Sequence, residues 1–210
     1  MCKNDKRLFF FGGETSRYVA WPICLLLALN GGRVDAQVDF FERLADSALT
    51  LTRQRVVYTP AYVALPYPGG DVPAHTGVCS DVVIRAYRKL GIDLQKEVHE
   101  DMRLQFGAYP QRWGLRKPDP NIDHRRVPNL MVFFERKGAS RPITNNPDDY
   151  MPGHLVCWEL PGGQTHIGIV SRQRSPTHRH RYQIIHNIGA GQTLEDCLFG
   201  YKIIGHYRYR

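Results

Sequence analysis

Residues 77–94, GVCSDVVIRAYRKLGIDL (Gly77–Leu94), set a cysteine immediately before a helical pattern. Val82, Val83, Ala86, Tyr87 and Leu90 share one face, and Gly91 supplies a stop. Cys79 then stands at a helix N-terminus, where unpaired N–H groups and the helix dipole favour a thiolate. Ser80 or Asp81 can cap the same end, and a carboxylate there opposes part of that effect. Three fates are open to the thiol: a buried small side chain, half of a disulfide, or a nucleophile.

Elements on either side frame this helix. Upstream, Phe40, Phe41, Leu44, Ala45, Ala48, Leu49 and Leu51 recur at helical spacing and predict a helix over about 39–52. Tyr58–Gly70 (YTPAYVALPYPGG) carries three prolines and is expected to be extended. Downstream, a helix is expected over Leu94–Phe106, then a loop over Tyr109–Arg126, then a helix over Val127–Lys137 with Leu130, Phe133 and Phe134 inward. From Pro152 the period changes. Leu155–Leu160, Thr165–Ser171, Tyr182–Asn187 and Leu198–Tyr209 are rich in β-branched and aromatic residues and are separated by Gly, Pro and polar loops. Helices followed by a strand meander predict an α+β domain with its N-terminal helices packed on an antiparallel β-sheet.

The first 36 residues form a separate segment. Lys3, Lys6, Arg7 and Arg17 precede the apolar run Val19–Leu29, and Val34-Asp35-Ala36 offers small residues where an export peptidase reads. Residues 1–36 are therefore expected to be a signal peptide cleaved after Ala36, with 37–210 a single domain in the periplasm or secreted. An uncleaved anchor helix is the alternative. The apolar run is short for a bilayer, and the bulky residues before Cys24 argue against lipoprotein processing. The remaining chain has 23 Lys/Arg and 17 Asp/Glu, net +6. Outside the cytoplasm that charge suits anionic envelope polymers, permits peripheral membrane contact without predicting it, and makes nucleic acid a poor partner. It also serves solubility alone. Cys79, Cys157 and Cys197 survive processing, an odd number that leaves one thiol unpaired in an oxidising compartment.

A thiolate nucleophile needs a base. In Gln164-Thr165-His166-Ile167-Gly168-Ile169-Val170, strand alternation turns His166 and Gly168 to one side, and the glycine is expected to make room there for the Cys79 helix. The next strand offers His186 or Asn187 to orient the imidazole. His186 is preferred, because Asn187 faces the other way.

Cysteine at a helix start, histidine on a strand, and a polar residue on the next strand resemble the papain-like superfamily in its NlpC-type form. The matching stretches are Tyr67-Pro68-Gly69-Gly70, Cys79-Ser80, Pro152-Gly153-His154-Leu155-Val156, His166-Ile167-Gly168-Ile169 and Ile185-His186-Asn187. More closely, residues from about 56 to 209 resemble the bacterial domain-of-unknown-function family 1287, through PYPGGDVPAHTGVCSDVVIRAYR, NIDHRRVPNL and HNIGAG. The resemblance implies a papain-like cysteine amidase or endopeptidase acting on peptidoglycan stem peptides, with Cys79 as nucleophile, His166 as base and His186 as orienter. It also implies Tyr67 at the oxyanion hole. Two departures stand out. NlpC-type enzymes place Asp before the nucleophile and Gly two after, whereas here Val78 precedes Cys79 and Asp81 follows by two. His154 replaces the usual Asp of the strand-entry motif.

Asp123-His124-Arg125-Arg126 reads either as a loop whose arginines hold substrate carboxylates or as a cap with a buried ion pair. With Tyr67, Asp81 and Asn187, the residues Asp123, His124 and Arg125 complete the substrate and oxyanion candidates. The hairpin SRQRSPTHRHRY (Ser171–Tyr182) reads as a solvated tip or a glycan contact. Cys157 and Cys197 are either a disulfide or two free buried thiols. No cofactor and no metal is expected, because neither HExxH nor a paired CxxC occurs. Two other function classes compete with the amidase: a non-catalytic peptidoglycan-binding module and, behind it, a zinc hydrolase using His178-x-His180 or a convergence of His154, His166 and His186.

Overall fold

The computed structural model describes residues 28–210, with side chains from Phe40 onward. The basic part and most of the apolar run of the expected signal, residues 1–27, lie outside the described residues. By contacts the chain divides into Met1–Asp35 and Ala36–Arg210, and the second unit carries every element from β1 on. Among the described residues, no helix is long and apolar enough to cross a membrane.

Helix α1 (Ala28–Leu51) begins eleven residues before the expected start and contains the expected cleavage point. Two short strands, β1 (Val57–Tyr58) and β2 (Thr76–Gly77), pair in parallel and bring Tyr58 opposite Gly77. The expected helix around residues 79–88 is α2 (Cys79–Arg88). It is followed by α3 (Leu94–Gln105), a 3-10 turn at Asp123–Arg125, and α4 (Val127–Arg136). Five strands complete the fold: β3 (Leu155–Glu159), β4 (Thr165–Arg174), β5 (Tyr182–Asn187), β6 (Gln192–Glu195) and β7 (Lys202–Tyr207). Their order is β6-β5-β4-β3-β7, every pairing antiparallel. The architecture is α+β, as the order of periods implies. The meander is broken in one respect. Residues 192–207 form two strands at opposite edges, β6 and β7, rather than one strand over Leu198–Tyr209.

Strand alternation builds two apolar layers. Leu155, Cys157, Ile167, Ile169 and Ile185 face the helices and pack with Leu44, Val83, Tyr87, Leu130 and Phe134. Val156, Trp158, Val170 and Ile184 face the other way, under Tyr150 and Leu198. Both faces of the sheet are therefore covered, which accounts for the continuous burial of residues 166–171 in β4 and 184–187 in β5.

The Pro-rich segment and the 109–126 loop share one buried side chain on α3, besides direct bonds such as Leu65 N–H to Asn121 Oδ1 at 2.8 Å. Gln95 accepts the Gly70 N–H at 2.8 Å through its carbonyl oxygen. Its amide nitrogen donates to the carbonyls of Pro66 at 3.0 Å and Pro120 at 3.1 Å. Gly70 has no alternative there, since a Cβ at that position would lie 2.1 Å from the Pro66 oxygen.

Candidate active site at the end of the β4–β5 ladder

Val78 is extended and precedes the first turn of α2, so the orphan N–H groups of that turn gather around Cys79. Asp81 serves the same end. Its Oδ2 accepts the Val78 N–H at 2.7 Å, and the carboxylate takes a two-pronged contact from Arg125, Nε and Nη2 each at 2.9 Å. Both side chains are about 98% buried, at 3% and 2% exposure. Arg125 further donates to the Ala61 carbonyl, and Ser80 donates to the Arg125 carbonyl at 2.7 Å. A buried, bidentate, hydrogen-bonded pair therefore ties the Cys79 turn to the Asp123–Arg125 turn.

Of the two readings of Asp123, His124 and Arg125, this arrangement matches the buried ion pair rather than a loop that holds substrate carboxylates. All three are buried. The Asp123 side chain accepts the Asp119 N–H at 2.5 Å, and burial pushes its carboxyl up to about 6. Burial, with Arg125 next to it, holds the His124 imidazole down at about 3. Arg126, partly buried, stacks on Trp113 at 4.1 Å. A cleft of about 730 Å³ runs beside this loop, lined by Tyr62, His99, Arg116, Lys117 and Asn121 among others.

Cys79 is 5% exposed and packs in the helix-side layer. Burial pushes its thiol up to about 11 against the opposing effect of N–H groups from Ile167 and Ser80, while Asp81 adds to the rise. The Ile167 contact places the sulfur at the point where β4 and β5 part: their recorded pairing stops at Ile169↔Ile185 on this side. His166 is the preceding residue. Its ring lies on the far face, 5.8 Å from Trp158, and its Nε2 is 2.8 Å from His186 Nδ1. His186 Nε2 in turn lies 3.3 Å from Glu195 Oε2 and 3.6 Å from Cys197 Sγ. Burial lowers His166 to about 3, with His186 adding to the fall; burial also lowers His186, against the pull of Glu195. Among the described residues, no hydrogen bond joins the Cys79 thiol to either imidazole.

The space at Gly168 serves the histidines, not the helix. A Cβ there would sit 2.6 Å from Ile184 Cγ2 and 3.2 Å from His186 Cβ. The expectation that this glycine admits α2 is corrected accordingly: β5 takes the room. Asn187 lies on the α2 side, its Nδ2 donating to the Gly77 carbonyl at 3.4 Å.

Tyr67 is displaced from the oxyanion role expected for it. Its ring packs on His99 at 4.9 Å, and the charges around it are Glu100, Lys96, Arg103 and Asp93. Tyr58 is the tyrosine within electrostatic range of Cys79, Asp81 and Arg125, and burial raises its phenol. Strand pairing of β1 with Gly77 puts it there, a signal that β propensity in a two-residue strand does not carry. Glu195 also lay outside the sequence candidates.

Among the described residues, Cys79, Cys157 and Cys197 are all free. Cys157 packs in the helix-side layer and Cys197 in the opposite one, so a disulfide between them is excluded by the sheet itself. The histidine trio does not converge either. His154 Nδ1 pairs with His206 Nε2 at 2.8 Å, apart from His166 and His186.

Residues 45–209 match the family described as "Domain of unknown function (DUF1287)". The chain is 53% identical over 170 residues to "Uncharacterized protein YijF" of Escherichia coli (strain K12), covering 79% of this chain and 80% of that one. The matched span runs from α1 to the end of β7 and takes in Cys79, His166, His186 and Glu195 alike; the chain belongs to the DUF1287 family.

Proposed function

We propose that the protein is a cysteine amidohydrolase that opens amide bonds of peptidoglycan stem peptides outside the cytoplasm. One observation carries the chemistry. His166, His186 and Glu195 form a polar row that ends one residue from the N–H holding the Cys79 sulfur. With His186 Nε2–H donated to Glu195, Nδ1 of His186 accepts from His166 Nε2–H, and His166 Nδ1 is left as the basic nitrogen. Both partners rest neutral, the thiol near 11 and the imidazole near 3. The proton therefore moves only as the bond forms. In the resting state the imidazole lies on the far face, so the proposed step requires it to turn toward Cys79 as substrate binds. Sγ then adds to the amide carbon while His166 Nδ1 takes the thiol proton, and later returns it to the departing amine. The thioester that remains is hydrolysed by water. N–H groups at the α2 start and the Tyr58 hydroxyl are the donors at hand for the oxyanion. The substrate class rests on the NlpC-type resemblance and on the net +6 charge of residues 37–210.

The buried thiol favours a second reading, a non-catalytic envelope-binding module. Mass spectrometry of muropeptide digests separates the two. Wild type is expected to release peptide fragments that Cys79→Ala and His166→Ala do not, with turnover retained under EDTA. Unchanged release by Cys79→Ala overturns the nucleophile. Absence of any cleavage, with sacculus binding intact, supports the binding module. Loss under EDTA alone points to a metal hydrolase.

A further inference from the structure

Three ligand-type atoms meet on the far face of the sheet. His186 Nε2 lies 3.3 Å from Glu195 Oε2 and 3.6 Å from Cys197 Sγ, and the three fall within 4.8 Å of one another. A tetrahedral zinc ion with Zn–N and Zn–O bonds of about 2.1 Å and a Zn–S bond of about 2.3 Å needs N···O and N···S edges of about 3.4 and 3.6 Å. The two recorded spacings match those edges.

The backbone fixes this geometry. His186 pairs with Thr193 and Ile184 with Glu195, so Glu195 rises beside His186 from the adjoining strand, and Cys197 follows at once. Asp196, between them, is not available as a ligand. Arg181 holds it two-pronged at 2.5 and 2.7 Å, and Ser175 also donates to it. His186 is buried while the Glu195 side chain is 44% exposed, which gives an ion a way in from solvent.

We propose that His186, Glu195 and Cys197 bind a borderline-soft divalent ion of the zinc class, with a fourth, open position for water. Binding displaces the thiol proton of Cys197 to solvent and forms an S–metal bond; no electrons change hands. It also reverses the polar row, a consequence that rests on the catalytic reading above. With Nε2 on the metal, the remaining proton of His186 must sit on Nδ1 and point at His166 Nε2. Neutral His166 then carries its own proton on Nδ1 and has no lone pair to offer Cys79. The ion is therefore an inhibitor, not a catalyst.

The test uses the full metal-free chain titrated with Co²⁺. One equivalent is expected to produce tetrahedral d–d absorption and a thiolate-to-cobalt charge-transfer band, both displaced by Zn²⁺. Cys79→Ser is expected to keep the band, Cys197→Ser to lose it, and Glu195→Gln to weaken binding by about tenfold or more. Circular dichroism checks that each variant is folded. No band in wild type overturns the site, as does a band lost in Cys79→Ser and kept in Cys197→Ser. In muropeptide turnover, Zn²⁺ is expected to inhibit wild type and to spare Cys197→Ser. Binding without inhibition refutes the tautomer switch and leaves the site standing. An enzyme inactive in every arm refutes the catalytic reading, while the cobalt bands still decide the site.

Discussion

Arg125→Met tests how the Cys79 turn is held. The substitution keeps the length of the side chain but removes both prongs on Asp81, each at 2.9 Å, and the bond to the Ala61 carbonyl. Asp81 would keep only the Val78 N–H, with its side chain 3% exposed. Breaking a buried pair on one side costs about 3–5 kcal/mol, because the surviving charge is stranded. For a domain of this size that corresponds to a fall in Tm of roughly 6–20 °C. Asp81→Asn strands the guanidinium in the same way, yet retains an acceptor for Val78. The double variant strands neither, so its loss is expected to be smaller than the sum of the singles by about 2 kcal/mol or more. Urea unfolding of the four proteins, with m-values compared, supplies the cycle. A loss below about 1 kcal/mol for Arg125→Met, or singles that simply add, refutes the account of this pair as the clamp on α2.

In substrate-free protein, Cys79 is expected to resist iodoacetamide at pH 8. A thiol at about 11 is about one part in a thousand thiolate there, against about one in four for an ordinary thiol; fast alkylation mapped to Cys79 by mass spectrometry contradicts this. Gly168→Ala drives a methyl to within 2.6 Å of Ile184 Cγ2 and is expected to cost about 1–3 kcal/mol while displacing His186. Wild-type stability with unchanged muropeptide turnover would show that the space is not needed. Acid should unfold the protein early. His124, His154 and His166 are each depressed to about 3, so from about pH 6.5 down to 3 the unfolded chain binds more protons than the folded one. Stability is then present above pH 6.5 and falls on acidification by about 1.4 kcal/mol per pH unit per histidine. Asp123, raised to about 6, binds its proton earlier in the folded state and offsets about one histidine's share between pH 6 and 4. A Tm that is flat between pH 6.5 and 4.5 would sink this.

Local pattern carried the elements and lost the partners. The apolar face of α2 and the alternation of β3 to β5 are written in periods of 3.6 and 2, and those periods placed Cys79 at a helix start and His166 and His186 on neighbouring strands. Asp81 was legible as a cap of the helix start, but not its ion pair, since its partner Arg125 lies 44 positions away. Tyr58 depended on a parallel pairing of two-residue strands, too short to leave a period. Glu195 and Cys197 belong to an edge strand of four residues and the turn after it, where the sequence favoured one longer strand beginning at Leu198. Which side a glycine empties is likewise a question of strand pairing. Gly168 was identified correctly as a place of close approach, but β5, not α2, approaches it.

The three hydrogen bonds of Gln95 have a mechanical consequence. One amide takes Gly70 on its oxygen and shares its nitrogen between Pro66 and Pro120, so the two irregular stretches are tied to the same side chain. Hinged on a common pin, they should unfasten together: amides in both stretches exchange with one shared opening free energy, and one proteolytic nick in either frees the other.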